Sequence, residues 1–340
     1  ILKAFEAPEM LELCIPIIYG SPKAAAYHRN LLNIQTNFSI IDKAEDAKPG
    51  KLNMLATFDE EVKVEMGQPS KEAGAAAFKA LEKAMEDYEE GLFDVLVTAP
   101  INKESVAQHI PGFAGHTEYL EAKFGPNSLM MFVAEGLRVA LVCNHVSIAE
   151  IPAQITEEKI LAKLDLLNQA LKRDFALEKP RIAVLALNPH AGDQGLLGKE
   201  EQEIITPAIQ KANEKGIWAF GPYPADGFFG SGNYHHFDAI LAMYHDQGLI
   251  PFKTLDMSGV NYTAGLSIVR TSPDHGVAYD IAGKGVADEQ SMRNALFEAI
   301  DIVRRRRAWA EWNANPLEHF EREKGRDVSM KDLQAVVEKE

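Results

Sequence analysis

Three histidines in this sequence each follow an apolar run: His145 after LRVALVCN, His190 after RIAVLALNP and His245 after DAILAMY. A residue directly after a buried strand lies at a sheet end, where α/β proteins gather their chemistry. Three neutral imidazoles converging there, with positions left open for substrate, would hold one catalytic divalent ion. The wide spacing supplies no local motif, so any one of them alone reads better as a satisfied core or loop histidine. Three equivalent placements are what favour a metal. Carboxylates accompany them: Asp246 abuts His245, and Asp226 lies in GPYPADGFF. Either could orient a ligand or take a proton. A turn aspartate bonding its own backbone is the plainer account.

Two loops add a binding signal. NPHAGDQGLLGKEE, residues 188–201, has glycines that permit close backbone approach and precedes a helix, whose N-terminus favours anions. No GxGxxG follows the first strand, so the ordinary dinucleotide fingerprint is absent. The stretch RTSPDHGVAYDIAGKGVAD, residues 270–288, instead resembles the HGxAxDIAGxGxA loop of the isocitrate and isopropylmalate dehydrogenases. His275, Gly276, Ala278, Asp280, Ile281, Ala282, Gly283, Gly285 and Ala287 match it. In those enzymes the loop holds the adenosine end of NAD(P), which is what the resemblance implies here.

The elements that must position these residues alternate along the chain. Apolar runs predict strands at 15–20, 93–100 and 181–188, and an antiparallel pair within 128–147 that turns at Glu135-Gly136. FDAILAMYHDQG reads as a strand running into a loop. Helical spacing covers 72–88, 157–175, 199–215 and 288–313. This is an α/β chain with a mixed, mostly parallel sheet. No single linker divides it, so two lobes must share strands. Residues 1–110 with 245–340 are expected to form a discontinuous lobe carrying the NAD-binding loop. Residues 111–244 are expected to form a central lobe with metal ligands and dimer contacts. The opening ILKAFEAPEM reads as the middle of a helix.

Composition excludes several classes. A net charge of −15 argues against a nucleic-acid scaffold. Arg304, Arg305, Arg306 and Arg307 then read as a solvated helix end. No apolar run is long enough to span a membrane, and no signal peptide is visible. Two cysteines, Cys14 and Cys143, support neither a disulfide framework nor a thiolate zinc site, which fits a cytoplasmic setting.

VTAPINKES, GHTEYL, NPHAGDQG, GPYPAD, YHDQGLIPFK and VNYTAGLSIVRTSPDHG follow one another in the order of the 4-hydroxythreonine-4-phosphate dehydrogenase family, which the chain resembles. The resemblance implies an isopropylmalate dehydrogenase-like fold, a two-lobed α/β/α architecture, and a homodimer with sites between subunits. It implies a divalent metal (zinc, magnesium or cobalt) on His145, His190 and His245, and substrate contacts from His116, Thr117, Lys253, Asn261 and Arg270. NAD or NADP would take a hydride from a phosphorylated hydroxy acid. Asp226, Asp246 and Lys253 are candidates for proton transfer. The family opens with a strand and a GDPxGIGPE-like loop ahead of the segment matching ILKAF, so that strand is expected to be missing here. Relatives that oxidise threonate or erythronate 4-phosphate keep the substrate open. A non-catalytic ligand-binding protein of this fold is disfavoured by the complete histidine trio and Lys253.

Overall fold

The structure is a computed structural model and describes residues 1–58, 63–125 and 127–317. The apolar runs form strands β1 (Ile17–Gly20), β2 (Phe38–Ile41), β3 (Leu52–Ala56), β4 (Val95–Val97), β5 (Leu129–Ala134), β6 (Leu137–Cys143), β7 (Ile182–Leu185), β8 (Ala219–Tyr223), β9 (Ala239–Tyr244), β10 (Val260–Ala264) and β11 (Val269–Pro273). They make two sheets. A parallel three-stranded sheet has the order β1-β3-β2, and an eight-stranded sheet has the order β4-β11-β10-β5-β6-β9-β7-β8. In the larger sheet the β4·β11, β6·β9, β9·β7 and β7·β8 pairs are parallel, and β10 and β5 bring in antiparallel pairing. The expected α/β class with a mixed, mostly parallel sheet is what forms. The predicted hairpin is β5 and β6, turning at Gly136 with φ 71°.

The central strands are buried on both faces, so their side chains alternate between two cores. Ala140 and Val142 of β6 and Leu241 and Met243 of β9 enter one core with Ile160, Leu164, Leu167 and Leu171 of the helix Glu157–Arg173. Val139, Leu141, Ile240 and Ala242 enter the other, against Leu249 and Phe252 of the helix His245–Leu255. That second helix corrects the expectation of a loop after β9. Gly248 and Pro251 look like breakers in sequence, yet Gly248 lies against the sheet. A Cβ there would come within 2.9 Å of Leu141 and Val139 side chains. Packing overrides propensity at this position.

Other expectations need adjustment. The helix predicted over 199–215 begins as a π-type turn, Glu201–Ile205, before the α-helix Thr206–Glu214. ILKAF starts with the 3-10 turn Leu2–Phe5 rather than the middle of a long helix. The arginine run is not simply a solvated helix end. Arg306 Nε donates to fully buried Asp174 at 2.7 Å, and Arg305 pairs with Asp301 at 3.2 Å. A buried carboxylate needs cations, and Arg173 supplies a second at 2.7 Å. From Arg307 onward the described residues continue the helix Gln290–Asn313 to its end. No helix among the described residues is long and apolar enough to cross a membrane.

Candidate active site

Strands β6, β9 and β7 are parallel neighbours, so the residues after them leave the same edge of the sheet. This adjacency brings two of the histidines together. His145 and His245 have ring centroids 5.8 Å apart with planes at 42°. His145 Nδ1 lies 3.8 Å from Glu118 Oε1, and His245 Nδ1 lies 2.8 Å from Asp246 Oδ1. Asp246 is within hydrogen-bond distance of the His245 ring, the arrangement that fixes a tautomer and frees the other nitrogen as a ligand, while Glu118 stands near His145 without bonding it. Two imidazoles at this spacing suit part of a divalent-ion site. Among the described residues no group of three or more His, Cys, Asp or Glu side chains is placed to complete one.

His190 does not join the pair within one chain. Four residues separate it from the end of β7, and it is exposed in the 3-10 segment Pro189–Gly195. The loop is tied to its neighbour by Gln247, whose side-chain amide donates to Ala186 carbonyl oxygen at 2.6 Å and accepts from the Met243 amide at 2.8 Å. Asp226 is likewise exposed, in the helix Ala225–Gly230, and does not line the cleft holding His145 and His245.

The cleft wall does gather the expected anion-binding residues. His116, Thr117, Lys253, Asn261 and Arg270 line it with both histidines. Arg270 is 4% exposed, and its guanidinium donates to Thr98 Oγ1 at 2.7 and 3.0 Å and to Thr263 Oγ1 at 3.2 Å. No carboxylate among the described residues pairs with it. Burial lowers its pKa to about 10, which leaves it cationic at neutral pH. His116 is pushed down to about 3, first by burial and then by Arg270 and Lys103, so it is a neutral hydrogen-bonding group. His116 begins the helix His116–Phe124, which starts from Gly115 at φ 140°. A Cβ on Gly115 would sit 2.9 Å from Lys103 Cε, so the glycine makes room for that lysine.

Lys253 Nζ lies 3.3 Å from Asp274 Oδ1. Burial raises the Asp274 carboxyl above its ordinary range, and its Oδ2 is buried without a partner. Asn261 Oδ1 is also buried and unpartnered. Such orphan atoms on a cleft wall are the signature of groups that complete their bonds with a ligand. Lys103, Glu118 and Asp274 were not singled out from the sequence. All three sit inside quoted motifs, within two residues of Thr117 or His275 for the acids, so the motifs were the available signal.

The nicotinamide-cofactor candidates divide. His275 and Gly276 line the cleft, while Ala278, Asp280 and Gly283 follow along the chain in a turn around the 3-10 segment Tyr279–Ile281. Ala278 has φ 50° and Gly283 φ 74°, so the loop doubles back.

Fold and cleft together define an α/β protein with a cationic pocket opening onto paired imidazoles at the end of a mixed sheet. The family model described as pyridoxal phosphate biosynthetic protein PdxA matches residues 12–299, and the chain belongs to that family. It is 56% identical to a 4-hydroxythreonine-4-phosphate dehydrogenase of Bacteroides thetaiotaomicron, over 99% of this chain and 94% of that protein. It is 42% identical to the protein of the same name from Sulfurihydrogenibium sp., over 86% of this chain and 90% of the relative. Among solved structures, the Klebsiella pneumoniae 4-hydroxythreonine-4-phosphate dehydrogenase superposes with a TM-score of 0.73. Sequence identity there is 31%, over 87% of this chain and 94% of that one.

Proposed function

We propose that the chain is a cytoplasmic, NAD(P)-linked 4-hydroxythreonine-4-phosphate dehydrogenase of pyridoxal phosphate biosynthesis. It would convert 4-phosphohydroxy-L-threonine to a β-keto acid that loses carbon dioxide to give 3-amino-2-oxopropyl phosphate. The observation that carries the reading is Arg270, a buried guanidinium that lines the cleft, bonds to threonine hydroxyls and has no carboxylate paired with it among the described residues. A buried charge is costly unless an anion meets it, so this site is built to receive one.

Arg270, Lys103 and Lys253 then bind the phosphate and carboxylate ends. Neutral His116 and the Thr117 hydroxyl add hydrogen bonds that orient the chain of the substrate without adding charge. Lys253, paired with Asp274, would exchange a proton at the substrate oxygen. Asp246 fixes the His245 ring through Nδ1. His145 and His245 would hold a divalent ion (zinc, magnesium or cobalt), which would supply Lewis acidity at the substrate hydroxyl, and NAD or NADP would be the hydride acceptor. His275, Gly276, Ala278, Asp280 and Gly283 would seat the adenosine end of that cofactor.

The third metal donor and Asp226 are assigned through a homodimer. His190 projects from the edge that carries the pair yet stays out of its own cleft, which supports delivery to the cleft of the partner subunit. The test of function is NAD(P) reduction with 4-phosphohydroxythreonine beside threonate 4-phosphate. A clear preference for the first supports the reading, and a preference for the second replaces it with the related acid-phosphate dehydrogenase. Absence of turnover with both, in metal-replete protein, leaves only ligand binding.

A further inference from the structure

The turn that carries His190 is left-handed over six successive residues. His190, Ala191, Gly192, Asp193, Gln194 and Gly195 have φ of 53°, 52°, 78°, 43°, 57° and 95°. Four of the six carry a Cβ. The left-handed conformation drives Cβ toward the following carbonyl, so an unsupported chain avoids it, and a run of such residues needs an external restraint. Strain of this kind gathers where a site must be held in one geometry.

The restraint in this fold is Glu201. Its side chain is buried, at 3% exposure, in a chain region that is otherwise open. Oε1 accepts from the Leu187 amide at 2.8 Å and the Asn188 amide at 2.7 Å, and Oε2 accepts from Asn188 Nδ2 at 3.0 Å. The carboxylate thus fixes Leu187 and Asn188, two of the three residues that join β7 to Pro189 and the turn. It reaches the turn as well, because a Cβ on Gly192 would lie 2.6 Å from Oε2. Glu201 is the first residue of the π-type turn Glu201–Ile205, a widened form found frequently at functional sites. It lines neither the imidazole pair nor the cationic cleft. Its bonds hold Leu187 and Asn188, the residues that lead into the His190 turn.

We propose that Glu201 is the positioning residue for His190, setting the direction in which that imidazole is offered to a divalent ion. The inference rests on the reading of His190 as a ligand. Removing a carboxylate bonded directly to a metal ligand costs about 10–100-fold in metal affinity, and Glu201, which acts through Leu187 and Asn188, belongs at the lower end of that range. Glu201→Gln keeps the size of the side chain but sets an amide N–H against Asn188 Nδ2, donor against donor. The protein, stripped of metal, is titrated with Zn²⁺ or Co²⁺ alone by calorimetry. Inorganic phosphate affinity and the urea midpoint of the metal-free protein are measured beside it.

The expected result is a loss of metal affinity on the order of 10-fold in Glu201→Gln with phosphate affinity close to wild type, the urea transition serving to show that the variant is folded under the conditions of the titration. Gly192→Ala, which places a Cβ against the same oxygen at positive φ, should show the same pattern and decides the matter if the Gln variant fails to fold. Unchanged metal affinity in the folded variants overturns the proposal, and so does an equal loss of metal and phosphate binding. His190→Ala separates the two readings. If it binds metal like wild type, His190 is no ligand; if it loses metal while Glu201→Gln does not, the positioning role alone falls.

Discussion

Arg270 and His116 show how burial sets charge in this cleft. Arg270 keeps its cation by bonding to threonine hydroxyls, so its full charge is available to a bound anion. Arg270→Lys loses the fork that Thr98 and Thr263 hold and cannot make a bidentate contact. We expect KM for the phosphorylated substrate to rise about 100-fold while KM for NAD(P) stays within about twofold. Lys253→Ala should show the same asymmetry, and equal effects on both Michaelis constants would remove it from anion binding. His116 predicts a pH effect on stability. Its folded pKa of about 3 lies below the ordinary histidine value of 6.5, so between those values the unfolded chain binds the proton and the folded chain does not. Stability is therefore complete above about pH 6.5 and is lost as pH falls toward 3, where the folded group also protonates. His116→Gln should flatten that part of the stability curve in urea titrations between pH 7 and pH 4, relative to wild type. Parallel curves for the two proteins would show that His116 carries no such penalty.

The same helix that sequence reasoning read as a loop decides where His245 sits. The helix His245–Leu255 lies so close to β6 and β9 that only glycine fits at 248, where an added Cβ meets Leu141, Val139 and Ala242 at 2.9–3.1 Å. Gly248→Ala should lift the helix from the sheet and cost about 1–3 kcal/mol, as overpacking does elsewhere. Because His245 begins that helix, metal affinity should fall with stability; a stable variant with full metal binding would show that the contact relaxes locally. This is also where the limits of sequence reading lie. Strands β4 to β7 were legible because strands buried on both faces are unbroken apolar runs. The hairpin was legible from Glu135-Gly136. The helix after β9 was not, since its glycine is set by contacts with Val139 and Leu141 of β6, about a hundred residues earlier. Arg306 was misread for the same reason: its partner Asp174 is distant in sequence and fully buried. The residues proposed to bind the substrate came from motif resemblance, and Lys103 and Asp274 emerged only when the fold placed them on one cleft wall.

At the scale of the whole molecule, the histidines pose a question that one chain does not answer. His145 and His245 meet, and His190 leaves the same sheet edge but stands exposed and apart. If two subunits exchange this residue, each site consists of an imidazole pair from one subunit and His190 from the other. A mixture of His190→Ala and His245→Ala subunits tests this, because each homodimer lacks a donor in both sites. In a hybrid, the cleft of the His190→Ala subunit keeps its own pair and receives an intact His190 from its partner. The other cleft lacks both His245 and the donated His190. Random exchange gives half hybrids, each with one working site of two, so the mixture should recover about a quarter of wild-type activity. If His190 instead serves the cleft of its own chain, every site in the mixture lacks a donor and no activity returns. Subunit exchange is verified separately by mass spectrometry of the mixed dimers, so a silent mixture with confirmed hybrids would rule out the shared site. An active monomer in sedimentation at assay concentration would rule it out as well, since no second subunit would be present to supply the third imidazole.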